Sequence, residues 1–240
     1  MELIEGIVIA YSKYKDNDTV FNILTKNSLQ TALGIGSEKF TNKINKLRRS
    51  FLYGEFDLYK GPTNTTKIRD CKIYNDFSSK FKNLEDLMIL DFLTELTFKC
   101  LIENDEYLKY FDTILNVLNN YDSQYNTKYM LILYYFATIL KINGVQPAFR
   151  NCIECGSSNV SGFDILRGGV VCNEHFSPST IDCNDENFDI LSNIFTLNID
   201  EIKDIALDWN KFKEILNHLY NLFVFSFNVK LNSINTINTL

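Results

Sequence analysis

No stretch of this sequence is apolar for long enough to cross a bilayer. The longest, Tyr129 to Leu140, falls short of the roughly 20 residues that a spanning helix needs, so it reads as a helix enclosed by protein. Nor does a Lys/Arg-led apolar leader open the chain, since Met1-Glu2-Leu3-Ile4-Glu5-Gly6 is acidic and soon turns strand-like. Without an export signal, six unevenly spaced cysteines point to a reducing cytoplasm rather than a disulfide scaffold. Positive charge is what the later part of the chain lacks. Residues 81–240 hold 11 Lys/Arg against 21 Asp/Glu, whereas residues 1–80 hold 13 against 9. The net charge of −6 therefore conceals a basic first segment, and any polyanion is expected to meet that segment. Histidine is scarce as well, and of the two present His218 has no neighbour at ligand spacing, which makes it a surface or packing residue.

The other histidine stands in the most informative stretch of the chain. Cys152-Ile153-Glu154-Cys155 is followed, sixteen residues later, by Cys172-Asn173-Glu174-His175, two paired arms of the kind that close around a tetrahedral metal ion. Gly156 relieves crowding after the first arm, and Gly168-Gly169 allows a tight approach before the second. Three thiolates and one neutral imidazole would fill the shell of one Zn2+ ion, which favours a structural role over Lewis-acid catalysis. Redox thiols, an iron–sulfur cluster or separately buried cysteines are the competing readings. Cys183 is a conceivable substitute ligand but has no matching arm, and Cys71 and Cys100 read as core residues.

Before the clamp, five short strands are expected in the first 75 or so residues: Glu2 to Ala10, Thr19 to Thr25, Leu29 to Ile35, Phe51 to Tyr59 and Thr66 to Tyr74. They suit a small antiparallel barrel, with an SH3-like barrel or an irregular sheet as alternatives. The connection between the third and fourth strands, Lys39 to Arg49, carries Lys39, Lys43, Lys46, Arg48 and Arg49 together with Phe40. Such a loop can contact phosphates and stack a base on Phe40. Alternatively it is a solvated connection that returns Phe40, Ile44 and Leu47 to the core. Lys13, Lys15, Lys67 and Arg69 could widen the patch, and Tyr14, Tyr53 and Tyr59 are further stacking candidates.

Beyond Phe77 the periodicity changes to that of helices. Asn83 is placed to cap a helix with Leu84, Leu87, Met88, Phe92, Leu96 and Leu101 at helical spacing, and Tyr107 to Leu118 repeats the pattern. Tyr129 to Ile142 is apolar nearly all round and ends at Asn143-Gly144. After the clamp come a short helix within Asn184 to Leu197 and a stronger stripe from Trp209 to Phe223, whereas the Asn-rich end from Asn228 to Leu240 is expected to be less regular.

In order along the chain, these pieces resemble the RecO family of bacterial DNA-repair and recombination mediators. Glu5-Gly6-Ile7-Val8, Asp18 to Thr25, the connection ending in Leu47-Arg48, and Phe56-Asp57-Leu58-Tyr59-Lys60-Gly61 are similar to that family's N-terminal OB-fold region. Gly144 to Phe149, followed by the two ligand arms, is similar to its metal-bearing helical domain, with His175 where the family usually has a fourth cysteine. The resemblance implies an α+β protein: a five-stranded antiparallel OB-fold barrel over residues 1–80, then a mostly helical domain over 81–240 with a zinc-ribbon-like insertion at 152–175. One structural Zn2+ held by Cys152, Cys155, Cys172 and His175 fits that domain, and because the later segment is poor in basic residues, the main DNA contact is expected on the barrel's connection, through Lys39, Phe40, Lys43, Lys46, Arg48 and Arg49.

The function so implied is non-enzymatic: a homologous-recombination mediator that binds single- and double-stranded DNA and anneals complementary strands. With RecR it would help load RecA onto strands coated by single-stranded DNA-binding protein, in the cytoplasm and at the nucleoid during repair. One alternative is a protein-interaction scaffold with little DNA binding of its own, which the acid-rich second segment supports. Another is a metal-dependent hydrolase or nuclease, which a filled clamp argues against.

Overall fold

A computed structural model describes residues 2–62, 64–101 and 106–240. The chain divides into two compact units, Met1–Asn119 and Asn120–Leu240. The change from strand to helix falls between Phe77 and Leu84, next to the expected limit at residue 80, but the first two helices count with the barrel in the first unit.

The first unit is built on five strands: β1 (Glu2–Lys15), β2 (Asp18–Leu24), β3 (Leu29–Gly34), β4 (Leu52–Lys60) and β5 (Thr66–Asp76). They close in the order β1-β2-β3-β5-β4, with β4 returning to β1, which is the connectivity of an OB fold. All pairings are antiparallel except the closing one, where β3 and β5 run parallel at Leu33 and Lys67.

Period-two alternation explains the barrel: in β4, Leu52, Gly54, Phe56 and Leu58 are buried while Tyr53, Glu55, Asp57 and Tyr59 are not. Inside it Val8, Phe21, Ile23, Ala32, Leu52, Phe56, Leu58 and Ile68 form one apolar cluster. Ile7 and Ile9, on the opposite face of β1 from Val8, are equally buried, and α1 (Leu84–Leu101) packs against that strand. Gly6 and Gly54 face each other where β1 meets β4, and a Cβ on Gly54 would lie 2.2 Å from the Lys72 carbonyl oxygen. Only hydrogen fits that crossing. The start of α1 follows the sequence expectation, since the Asn83 side chain accepts from the Asp86 N–H at 2.8 Å. The Asp86 carboxylate in turn accepts from the N–H groups of Lys82 and Asn83, which satisfies a fully buried acid. Helix α2 (Tyr107–Asn120) completes this part of the chain.

In the second unit, α3 (Thr127–Ile142) is enclosed on nearly every side, as its composition predicts. It packs on α4 (Glu186–Thr196), α5 (Ile199–Ile202) and α6 (Trp209–Phe227), where Tyr129 stacks on Phe212 and Phe136 meets Phe223. Between α3 and α4 lies a small sheet in the order β7-β6-β8, made of β6 (Gly162–Asp164), β7 (Gly169–Val171) and β8 (Thr180–Asp182).

The Asn-rich end differs from its expectation. After Asn228, whose left-handed backbone ends α6, the chain forms α7 (Ser233–Ile237) and buries Leu231, Ile234 and Ile237. Asn217 and Asn238 exchange both amide hydrogen bonds, at 3.1 and 3.0 Å. Three apolar anchors and a closed amide pair outweigh a composition that reads as loop. Among the described residues, no helix is long and apolar enough to cross a membrane.

Candidate metal centre and nucleic-acid interface

The two ligand arms meet as the sequence predicts. Ligand atoms of Cys152, Cys155, Cys172 and His175 all lie within 4.8 Å of one another. The first arm is a turn closed by hydrogen bonds from the Gly156 N–H to the Cys152 carbonyl and from the Cys152 N–H to the Ser157 carbonyl, with Gly156 at φ +73°. The second leaves β7 and turns through a single 3-10 segment, Asn173–His175, in which the His175 N–H reaches the Cys172 carbonyl at 3.0 Å. A bond from the Ile153 N–H to the Val170 carbonyl ties one arm to the strand that feeds the other.

The spacing fits one ion. Sulfurs about 2.3 Å and a nitrogen about 2.0–2.1 Å from a tetrahedral centre stand about 3.8 Å apart, sulfur to sulfur, and about 3.5–3.6 Å, sulfur to nitrogen. Cys155 Sγ and Cys172 Sγ are 3.8 Å apart, and Cys152 Sγ and His175 Nδ1 are 3.6 Å apart; Cys172 Sγ is closer to Nδ1, at 3.1 Å. Burial alone would push the Cys152 thiol up. Backbone N–H groups, those of Cys172, Cys155 and Glu154, more than offset that and hold it at about 6, which prepares a thiolate. Cys183 lies outside the cluster, Cys100 is buried, and Cys71 is partly buried against the barrel core.

Around these ligands is a shell that sequence reasoning missed. Asp164, fully buried at the end of β6, accepts from Ser177 and Ser179 and from both the backbone and the guanidinium of Arg167. Burial of its carboxyl opposes ionisation, but these donors prevail and bring its pKa down to about 2. The same guanidinium reaches Glu154 in the first arm at 2.8 Å and the carbonyl of His175 in the second at 2.6 Å. One arginine thus braces both arms against a buried acid. The signal available was Asp164-Ile165-Leu166-Arg167-Gly168-Gly169, a charged pair opening a glycine turn between the arms.

At the barrel, the connection from β3 to β4 resolves into two layers. Ile44 and Leu47 turn inward and join the barrel cluster, whereas Lys39, Lys43, Lys46 and Arg49 are exposed and Phe40 is 94 % exposed. Phe40 therefore does not return to the core. The cations are not equally free: Arg48 is partly buried beside Glu38 at 3.5 Å, Arg49 pairs with Asp76 at 2.8 Å, and Lys43 is 4.0 Å from Asp70. The connection is held from within, because Asn42 caps the 3-10 turn Lys43–Leu47 by accepting from the Ile44 N–H. Amide groups of Asn42 and Asn45 also donate to the carbonyls of Ile35 and Ser37.

Of the broader patch, Lys13 shares Glu38 with Arg48, Lys15 lies over the exposed Tyr14 ring, and Arg69 covers Tyr59. Tyr53 is committed elsewhere, packed edge-on to Tyr74 and Phe111 with its hydroxyl donating to Glu5. That bond, with burial, raises its pKa to about 12.

Comparisons with known proteins give the chain its family. The family model described as "Recombination protein O C terminal" matches residues 82–228. A DNA repair protein RecO of Clostridium perfringens strain 13 is 32% identical over 179 residues, covering 71% of each chain. The chain belongs to the RecO family. Another relative, the DNA repair protein RecO of Lactobacillus helveticus, is 24% identical over 209 residues, 85% of this chain and 83% of its own. Its alignment of 209 residues is longer than the family-model match at 82–228, in keeping with a RecO-family chain in which barrel and helical part occur together.

Proposed function

We propose that this RecO-family protein is a DNA repair and recombination mediator that does no chemistry and holds DNA on the outer layer of its β3–β4 connection. The observation that supports it is the exposed cation set Lys39, Lys43 and Lys46 on an OB barrel, in a chain of a DNA-repair family. Phosphate contacts of this kind grip flexible strands without regard to base identity, which suits strand annealing as well as handing coated strands on with RecR and RecA. Arg48 and Arg49, at 3.5 and 2.8 Å from an acid, contribute less, whereas Lys43 stands at the looser distance of 4.0 Å from Asp70. Elsewhere on the barrel the charge is mixed: Glu5, Glu55, Asp57 and Asp70 lie along β1, β4 and β5 among Lys13, Lys15, Lys60, Arg69 and Lys72.

Titration with a single-stranded oligonucleotide over a salt series tests this. Replacing Lys39, Lys43 and Lys46 by alanine is expected to weaken binding and to lower the log–log salt slope by about 2, at about 0.7 per lost phosphate contact. Binding that ignores both salt and these replacements would reject the contact.

The metal in this reading is Zn2+, and its role is structural. Cys152, Cys155, Cys172 and His175 would hold it as a closed four-ligand set with no position for a reactive water, which disfavours the hydrolase alternative. The ion supplies a crosslink between two arms that are distant in sequence.

For the partner-binding side, one observation favours the helical unit: a cleft of about 670 Å³ lined by Pro147, Phe149, Ile153 and Phe195 with Arg150 at its edge. A cleft that sets apolar side chains and one cation beside the polar Gln146, Asn151 and Thr196 suits the acidic, hydrophobic tail of single-stranded DNA-binding protein. Arg150→Glu should abolish binding of a labelled tail peptide while oligonucleotide binding persists; unchanged peptide affinity would place the tail elsewhere.

A further inference from the structure

Phe40 is the most exposed of the large apolar side chains among the described residues, at 94 %. A phenyl ring left in water forfeits the free energy that burial would return, and nothing in the barrel core depends on this one. Nor does it sit on a slack loop. The inward Ile44 and Leu47, the Asn42 cap and the Asn45 amide fix the segment that carries it. Phe40, Lys43, Lys46 and Arg49 line one open depression of about 390 Å³ together with Thr41, Asn42 and Asn45, so an aromatic residue and three cationic residues, two of them also near acids, border the same space. A ligand that is both planar and polyanionic satisfies that pairing, and a nucleotide of a single strand is one.

We propose that Phe40 stacks on an unpaired base, and that this ring lets the site distinguish a single strand from the duplex the strand becomes. The inference rests on the reading of the β3–β4 connection as the DNA-holding surface and adds what the lysines cannot supply. Phosphates are present in both forms, so cations hold either one. A base offers its face to a side chain only while it is unstacked and unpaired. Once two strands have paired, the stack is lost and the cations alone remain. The site thereby holds the substrates of annealing more firmly than the product, and releases the duplex it has helped to form.

The test compares the full-length protein with Phe40→Ala and Phe40→Trp, using an oligonucleotide as single strand and as duplex at one salt concentration. Because the ring is solvated, Phe40→Ala should melt as the parent does. Its single-strand affinity is expected to fall about tenfold, within the range for loss of one stacked base, with duplex affinity changed less than about twofold and the salt slope intact. Phe40→Trp should restore the preference, and 2-aminopurine in the single strand should lose its quenching only with alanine. Equal losses on both DNA forms, or no loss on either, would overturn the stacking role. If Lys43→Ala/Lys46→Ala still weakens both forms in that event, the DNA surface stands without it; if those replacements also do nothing, surface and ring fall together.

Discussion

Asp164 shows how much one buried side chain can organise. Its carboxylate is fully enclosed, yet it is held ionised by serine hydroxyls and by Arg167, whose guanidinium continues to both metal arms. The pKa of about 2 lies below the roughly 3.9 of an unfolded aspartate, so its contribution to stability is complete above about pH 4 and disappears as pH falls through about 2. Melting of the parent and of Asp164→Asn across pH should therefore show a gap at neutral pH that narrows below about pH 4 and closes near pH 2. Taking the difference removes any separate loss of metal in acid, which both proteins share. A gap that stays constant with pH would deny the charge its role. Only the Asp-x-x-Arg pair before the glycines was visible beforehand; such pairs are commonplace, and only the enclosing strands make this one a hub. The convergence of Cys152, Cys155, Cys172 and His175 was legible, since Cys-x2-Cys and Cys-x2-His carry their geometry in their spacing.

Among the elements, β4 was the easiest to anticipate and is the least tolerant of change. Its alternation of buried and outward residues is written in Leu52-Tyr53-Gly54-Glu55-Phe56-Asp57-Leu58, and the side-chain period of two leaves no other register. At Gly54 there is no room for a side chain against β5, so Gly54→Ala is expected to cost about 1–3 kcal/mol by denaturant unfolding, since the new methyl must displace the backbone at Lys72. Wild-type stability in that variant would mean that the crossing has slack. The β3–β4 connection was only half legible: its charge was plain, but whether Phe40, Ile44 and Leu47 faced in or out depended on the 3-10 turn that points two of them inward. Helix α7 was misread because asparagine count describes solubility, whereas three well-placed apolar side chains are what dock a short helix.

At the scale of the whole molecule, the two compact units have separate cores, and the four candidate metal ligands all lie in the second. Cys172→Ser, or thorough chelation, is expected to remove the metal and lower the melting temperature of the helical unit by several degrees, while oligonucleotide affinity of the barrel changes little; loss of both together would show that the ion supports more than its own unit. Local information in the chain was enough for the strand pattern, the ligand arms and the uneven charge, because each is a matter of spacing between near neighbours. The limit of the first compact unit, the burial of Arg48 beside Glu38, the bracing by Arg167 and the bare ring of Phe40 were not, because each depends on residues that the fold brings together or leaves apart. Periodicity says which side of an element is apolar; only the packed neighbours say which groups end up covered and which keep their access to water.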